Sequence, residues 1–478
     1  MTRRSSCLLM SAPQPVPALV VRALVLATAI PAVLTALTVR AAQAAESTTD
    51  APARILTLAE AERAAVERQP QLLVARAQTA SATAQAEQTG APLLPQVNAS
   101  AQYQRSTGNF APRPGAFPSA PATGTNGTGA GAQVPNTVSW NPSWDYWNFG
   151  VNASQLLYDF GQTYDRYKAY SATADSARAT ERSTRLTVVA NVRRAYFNAR
   201  AQKDLVKVAQ ETLSDQDKHL VQVQAYVAVG TQPEVALAQQ KAAVASARVA
   251  LITAQNNYET SKAQLNQAAG IVGGTGYDVG DEEIGPIEDE DQPLDVLASK
   301  AIAARPELLA LQKQRVAARE SLSSARGAYG PTLSATGAVT ESGIALDGLV
   351  PNWNVGLLMN WPIFQGGVTR ATVRLAQANV QTADAQAALE ELQVRLDVDT
   401  ARLAVRAAKA TIGAADDALT SARQQLTLAE QRYAQAVGNI IELYDAQVAY
   451  TSAAAQVVQA RYGLSAARAQ LLAALGRT

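Results

Sequence analysis

Residues 162–229 contain neither glycine nor proline over 68 consecutive positions. As one helix rising 1.5 Å per residue they would reach about 100 Å. Val192, Ala199, Val206, Leu213, Leu220 and Val227 recur every seventh residue. An apolar heptad kept up this long predicts coiled-coil packing. The pattern returns 206 positions later in Val398, Val405, Ile412, Leu419, Leu426 and Tyr433, with Gly413 as one local weakness. Gly230 and Gly438 close these two long helices. Returning helices are expected over 234–269 and 439–475, the second interrupted at Gly463. Upstream, 56–68 and 71–89 read as helices that meet at Pro70. Helices of 19 and 36 residues, set end to end, span about 80 Å, so the two shorter helices of a repeat can stack into a second rod beside the long one.

A different period fills the stretches before the long helices. Leu333, Ala335, Gly337 and Val339 alternate with Ser334, Thr336, Ala338 and Thr340. Trp353, Val355, Leu357, Met359 and Trp361 alternate with Asn354, Gly356, Leu358 and Asn360. Period 2 means two strands, each with an apolar and a more polar face. Each is about ten residues, roughly what a tilted strand needs to cross a bilayer. The first copy has Val97, Ala99, Ala101 and Tyr103 alternating with Asn98, Ser100, Gln102 and Gln104, and a second strand over 146–161. Pro95 and Pro331 are 236 positions apart, as are Pro70 and Pro306. The offset falls to 206 beyond the hairpins because the first copy carries a longer Gly/Pro/Ser-rich loop over 107–145, expected to be exposed and external. Trp140, Trp144, Trp147, Trp353 and Trp361, all five tryptophans, lie in the hairpin regions. Trp147, Trp353 and Trp361 are candidates for the aromatic belt of a membrane barrel.

The balance of 41 basic and 40 acidic residues gives no reason to expect a nucleic-acid partner. One Cys and one His exclude Cys-rich metal sites and internal disulfides. No Ser/His/Asp set or phosphate loop is present, so the chain is not expected to be an enzyme or to need a cofactor. His219 reads as a solvated helix residue. Arg3 and Arg4, an apolar run over 23–39 and the triplet Ala42-Gln43-Ala44 form a secretory leader, 1–44. Cys7 precedes the apolar run, so it is not the acylated residue left after leader removal. Residues 278–293 hold seven acidic side chains between Asp281 and Asp291 and no basic one, which reads as a solvated acidic linker. It separates a first repeat, 45–277, from a second, 294–478.

Helix–strand–strand–helix–helix, in duplicate behind a leader, resembles the TolC family of outer-membrane efflux and secretion channels. The likeness is carried by 305–333 (RPELLALQKQ…GPTL), 360–367 (NWPIFQGG) and 432–447 (RYAQAVGNIIELYDAQ), and by their first-repeat counterparts. It implies a mainly α protein with a membrane β-barrel: a homotrimer in which four strands per chain make one twelve-stranded barrel in outer-membrane lipid, above a helical periplasmic tunnel. It implies docking to a periplasmic adaptor and to an inner-membrane transporter, proton-driven (RND) or ATP-driven (ABC). The turns at Val229-Gly230 and Val437-Gly438 would be the periplasmic tip that meets the adaptor. Glu442, Asp445 and Tyr433 would stand at the periplasmic gate. The competing reading is a structural coiled-coil protein of the envelope, which has no need of two Trp-flanked amphipathic hairpins. Leader removal is testable by intact mass: the mature chain should begin just after Ala44, and retention of 1–44 would exclude the cleavage.

Overall fold

The computed structural model describes residues 54–107, 143–288, 290–435 and 437–477. The leader, Cys7, Trp140 and nearly all of the long-loop expectation lie outside the described residues. In chain order the elements are β1 (Arg54–Leu56), α1 (Leu58–Arg68), α2 (Pro70–Gly90), β2 (Gln96–Thr107), β3 (Ser143–Tyr158), α3 (Gln162–Ala228), α4 (Glu234–Ala269), β4 (Tyr277–Val279), α5 (Leu294–Ala304), α6 (Pro306–Gly327), β5 (Thr332–Gly343), β6 (Val350–Asn360), α7 (Val368–Ala434) and α8 (Ile440–Ala474). From α1 to α4 and from α5 to α8 the order of helices and long strands is the same.

α3 and α7 are each 67 residues long. Both start from a glycine in the left-handed region, Gly161 at φ 81° and Gly367 at φ 86°, close behind a strand. Glycine turns an extended chain into a helix this abruptly without a Cβ penalty. The heptad positions Val192, Ala199, Val398, Val405, Leu426 and Tyr433 are buried. Val206, Leu213, Leu220 and Val227 are half-buried. α8 does not break at Gly463, contrary to expectation; it is continuous from Ile440 to Ala474. One glycine costs about 1 kcal/mol against alanine, too little to interrupt a helix of 35 residues packed along its length.

The stacking of short helices is visible at both junctions. α2 and α6 each begin with Pro at the first helical position, where a missing N–H costs nothing. The end of α4 abuts the first junction: Gln69 Nε2 donates to the carbonyls of Gln267 and Ala268 at 3.1 and 3.0 Å. The end of α8 abuts the second: Arg305 Nε donates to Ala474 O at 2.7 Å. Gly270 and Gly476 finish these helices at φ 65° and 73°. A Cβ on Gly270 would lie 3.0 Å from Gln69 Cα, so the close approach requires glycine.

The acidic stretch 278–293 is solvated over most of its length, as its composition suggests, but it is anchored near both ends. Its start belongs to β4, which pairs in parallel with β1. Asp278 accepts from Lys203 Nζ at 2.5 Å and from Tyr258 Oη at 2.6 Å. Asp281 pairs with Arg200, and Glu282 accepts from the backbone N–H of Leu58 at the start of α1. Glu290 is only 2% exposed. Arg468 grips both its oxygens at 3.1 and 3.2 Å, Lys409 lies at 2.7 Å, and the Ile287 N–H donates at 2.9 Å. The strap thus ties α3 and α4 to α7 and α8. Lys203 lies 75 positions from its partner Asp278, and Arg468 lies 178 from Glu290, which is why composition alone does not reveal them.

Burial opposes ionisation of Glu290, but Lys409, the Ile287 N–H and Arg468 outweigh it and hold the carboxyl below its ordinary value. Its contribution to stability is therefore present above the unfolded value of 4.5 and fades as pH falls through the lower folded value. Glu290→Gln should lower stability at neutral pH by roughly 3 kcal/mol, the small end for stranding one member of a buried ion pair. It should also flatten the acid limb. Chemical unfolding at pH 7 and pH 4 checks both; an unchanged pH dependence would remove Glu290 from the acid response.

Candidate functional site: the amphipathic sheet and the helix turns

Four strands form one antiparallel sheet in the order β2-β3-β5-β6. The register puts Val97, Ala99, Ala101 and Tyr103 opposite Ala153, Val151, Phe149 and Trp147. Val151 and Ala153 stand opposite Val339 and Gly337, and these opposite Trp353 and Val355. Directly paired residues share a face, so Leu333, Ala335, Leu357 and Met359 join the same apolar surface. The opposite face carries Asn98, Ser100, Gln102, Asn148, Asn152, Ser154, Ser334, Thr336, Thr340, Asn352, Asn354 and Asn360. It has hydroxyl and amide groups and no acidic or basic side chain among its paired positions. β2 and β6 lie at the two edges, each with one side unpaired within the chain.

Arg105, Asp145 and Glu341 are the charged residues of these strands, and all lie on the apolar face towards one end. Asp145 accepts from Tyr103 Oη at 2.9 Å and lies 3.8 Å from Arg105. The Tyr103 and Trp147 rings are 4.5 Å apart, and Phe149 stacks on Trp147 at 6.4 Å. Polar tips on an aromatic cluster suit the boundary between hydrocarbon and headgroups. Trp353 is the fourth residue of β6 and is exposed on the apolar face. Trp361 lies one residue beyond the strand, where its Nε1 donates to Tyr329 O at 3.2 Å.

The two helix turns lie at the far ends of α3 and α7. Gly230 takes φ 76°, and Thr231 N–H returns to Tyr226 O at 2.9 Å, a Schellman-type stop. In the second turn the N–H groups of Val437 and Gly438 both reach Arg432 O, at 3.0 and 2.9 Å. A Cβ on Gly438 would lie 3.0 Å from Tyr433 N. Val229 and Val437 are each 72% exposed, two matched apolar tips. Asn439 caps α8 by accepting from Ile441 N–H at 3.2 Å.

The three gate candidates do not share one environment. Asp445 is exposed. Glu442 is held by Arg432 at 3.3 Å. Tyr433 is buried in a cluster with Val223, Ala236, Leu426 and Leu443, edge-on to Tyr226 at 6.1 Å. There it packs against residues of α3, α4 and α8. His219 is not solvated as expected: its side chain is 12% exposed and its Nε2 lies 3.8 Å from Glu430 on α7. It sits towards the far ends of α3 and α7, where Tyr226 and Tyr433 also meet.

Sequence reading missed a buried amide network behind the turns. Gln216 Nε2 donates to Gln447 Oε1 at 2.7 Å, Gln240 Nε2 to Gln216 Oε1 at 2.8 Å, and Tyr444 Oη to Gln240 Oε1 at 2.8 Å. All three glutamines are buried. The one available signal was Gln216 seven positions before the buried Val223. Among the described residues no group of three or more His, Cys, Asp or Glu is placed to hold a metal ion. None of the described helices is long and apolar enough to cross a membrane.

Comparison with known proteins agrees with this architecture. The model of the family "Outer membrane efflux protein" matches residues 61–271 and 297–477. The cation efflux system protein CusC of Escherichia coli is 24% identical over 259 residues, 53% of this chain and 56% of CusC. The toluene efflux pump outer membrane protein TtgC of Pseudomonas putida is 27% identical over 266 residues, 53% of this chain and 54% of TtgC. The chain thus spans about half the length of the curated relatives it matches. The crystal structure of the CmeC outer membrane channel of Campylobacter jejuni superposes with TM-score 0.74 at 20% identity, over 88% of this chain and 85% of that one. With the family model covering both repeats, the chain belongs to the outer membrane efflux protein family, whose members are channels and not enzymes.

Proposed function

We propose that the chain is the outer-membrane channel of a tripartite efflux or type I secretion system. It is a passive conduit from a periplasmic tip to the cell exterior. The observation that carries the reading is the sheet: one apolar face, one polar face and two unpaired edges. In lipid each unpaired backbone group costs several kcal/mol, so only a closed barrel is tolerated. Four strands are too few to close, and three copies supply twelve. The apolar face then meets outer-membrane lipid and the amide and hydroxyl face lines a water-filled lumen. The helices extend the lumen into the periplasm. Residues 1–44 act as the export leader, and 45–277 and 294–478 as the two halves of one structure. The exposed Val229 and Val437 tips suit contact with a periplasmic adaptor, itself bound to an inner-membrane RND or ABC transporter that supplies the energy. Relatives named for cation and for toluene efflux support an efflux role.

Two measurements test this. Leu357→Arg, on the lipid face, should destabilise the folded assembly in bilayers by about 2–4 kcal/mol, and Asn354→Arg, on the lumen face, by much less. Equal effects in a membrane-folding titration would refute the assignment of faces. At the gate, each copy offers Asp445 exposed and Glu442 neutralised by Arg432. A multivalent cation on the periplasmic side should therefore block single-channel current mainly through Asp445. Asp445→Ala should relieve the block more than Glu442→Ala; equal block in wild type and both variants would place the constriction elsewhere.

A further inference from the structure

We propose that α3, α4 and α8 form a binding site for an amphiphilic organic anion, a carboxylate on a flat apolar body. The site is built by one chain and goes beyond the channel reading. A cavity of about 680 Å³ lies between these three helices, within the range of small-molecule sites. On α3 it is lined by Asn191, Arg194, Asn198, Gln202 and Leu205, which recur every three or four residues and so share one helical face. α4 adds Gln264, and α8 adds Gln459, Tyr462, Gly463 and Ala466. Phe197 and Tyr462 are buried and form the floor; they belong to the core that also holds Leu56 and Val279. None of the strap's carboxylates borders the cavity. Arg194 is the one charged residue of the lining. Its Nη1 has a long contact, 3.5 Å, with Asn191 Oδ1, and among the described residues no carboxylate pairs with it. Arg194 also borders a smaller cavity whose two carboxylates have other partners. Asp397 pairs with Arg305 at 2.9 Å, and Glu307 accepts from Ser183 Oγ at 2.7 Å. A guanidinium with free donors, set among five side-chain amides, suits a carboxylate, which it can grip with two charge-assisted hydrogen bonds. A cation would find no counter-charge here, and a neutral solute would leave the guanidinium to water. Ala195, Ala201, Leu205 and the two floor rings take the apolar body.

Gly463 supports the site independently. It lies inside α8, away from any turn, and it is not among the positive-φ glycines. Nothing stands within 4 Å of where its Cβ would be. Neither backbone geometry nor close packing calls for glycine here, and glycine costs the helix about 1 kcal/mol against alanine. What the missing side chain supplies is room. Gly463 borders both this cavity and a second one of about 540 Å³ between α7 and α8, and Gln459 borders both as well. The two volumes meet across α8 at Gly463, which leaves a flat ligand space to cross the helix with Gln459 at its edge.

Naphthoate is the probe. Titrated into the full-length protein in lipid nanodiscs and followed by calorimetry, with protein-free discs subtracted, it should bind saturably, one per chain. Arg194→Gln should weaken binding about tenfold, the worth of one hydrogen bond to a charged group. Arg194 is exposed, so this variant should keep its fold. Arg248→Gln removes an exposed arginine of α4 outside the cavity and should change nothing. The neutral naphthalene methanol should bind about tenfold more weakly than naphthoate, and that difference should vanish in Arg194→Gln. Gly463→Leu should fold at least as well as wild type, since its side chain meets open space, yet bind naphthoate several-fold more weakly because it fills the cavity. Absence of saturable binding, equal binding of the neutral probe, or undiminished binding by Arg194→Gln or by folded Gly463→Leu overturns the site. The Arg194 and neutral-probe comparisons decide the matter even where Gly463→Leu folds poorly. None of these outcomes bears on conduction, so the channel reading stands or falls separately.

Discussion

Backbone amides in hydrocarbon must find partners within protein, and this requirement organises the molecule. A sheet of four strands satisfies it everywhere except along the outer sides of β2 and β6. On the channel reading proposed above, the unmet groups cannot turn to water as they would in a soluble sheet, and further copies of the chain would pair with them. The helices inherit the consequence. α3 and α7 leave the sheet through Gly161 and Gly367, so the spacing of strands also sets the spacing of 67-residue helices.

Long helices joined only at their ends would slide and splay. The strap between the repeats prevents this at mid-length. It places carboxylates against basic groups from both halves: Arg200 and Lys203 on α3, Lys409 on α7 and Arg468 on α8. Its fixed geometry contrasts with the turn ends, where the cohesion comes from the small Tyr433 cluster and three buried glutamines. The middle carries ion pairs, of which Glu290–Arg468 is buried, while the tip is held by amide hydrogen bonds of about 1 kcal/mol each.

Much of this was legible in sequence because it rests on period. The alternation at Leu333–Val339 and Trp353–Trp361, and the heptads from Val192 and Val398, report which face is apolar. They need no knowledge of distant residues. Length arithmetic located the stacked short helices, since two helices of a repeat must match the third. What was not legible depends on partners far along the chain. Glu290 reads as one more acid in a solvated run until Arg468 and Lys409 are placed around it. His219 looks like a surface residue until Glu430 of α7 is placed beside it, and the packing of Tyr433 against Val223, Ala236 and Leu443 needs partners from three other helices. Gly463 looks like a break until packing along α8 outweighs its small intrinsic penalty.

The polar face of the sheet carries amides and hydroxyls but no fixed charge, and the few charged groups of the strands sit on the opposite face near one end. A bore so lined has little Donnan exclusion. It would admit anions, cations and dipoles at rates set by girth and hydration, and neighbouring Asn and Ser side chains would swap hydrogen bonds with a passing solute at nearly constant energy. The exit would then be a smooth energetic corridor, in which no solute lingers long enough to obstruct the next.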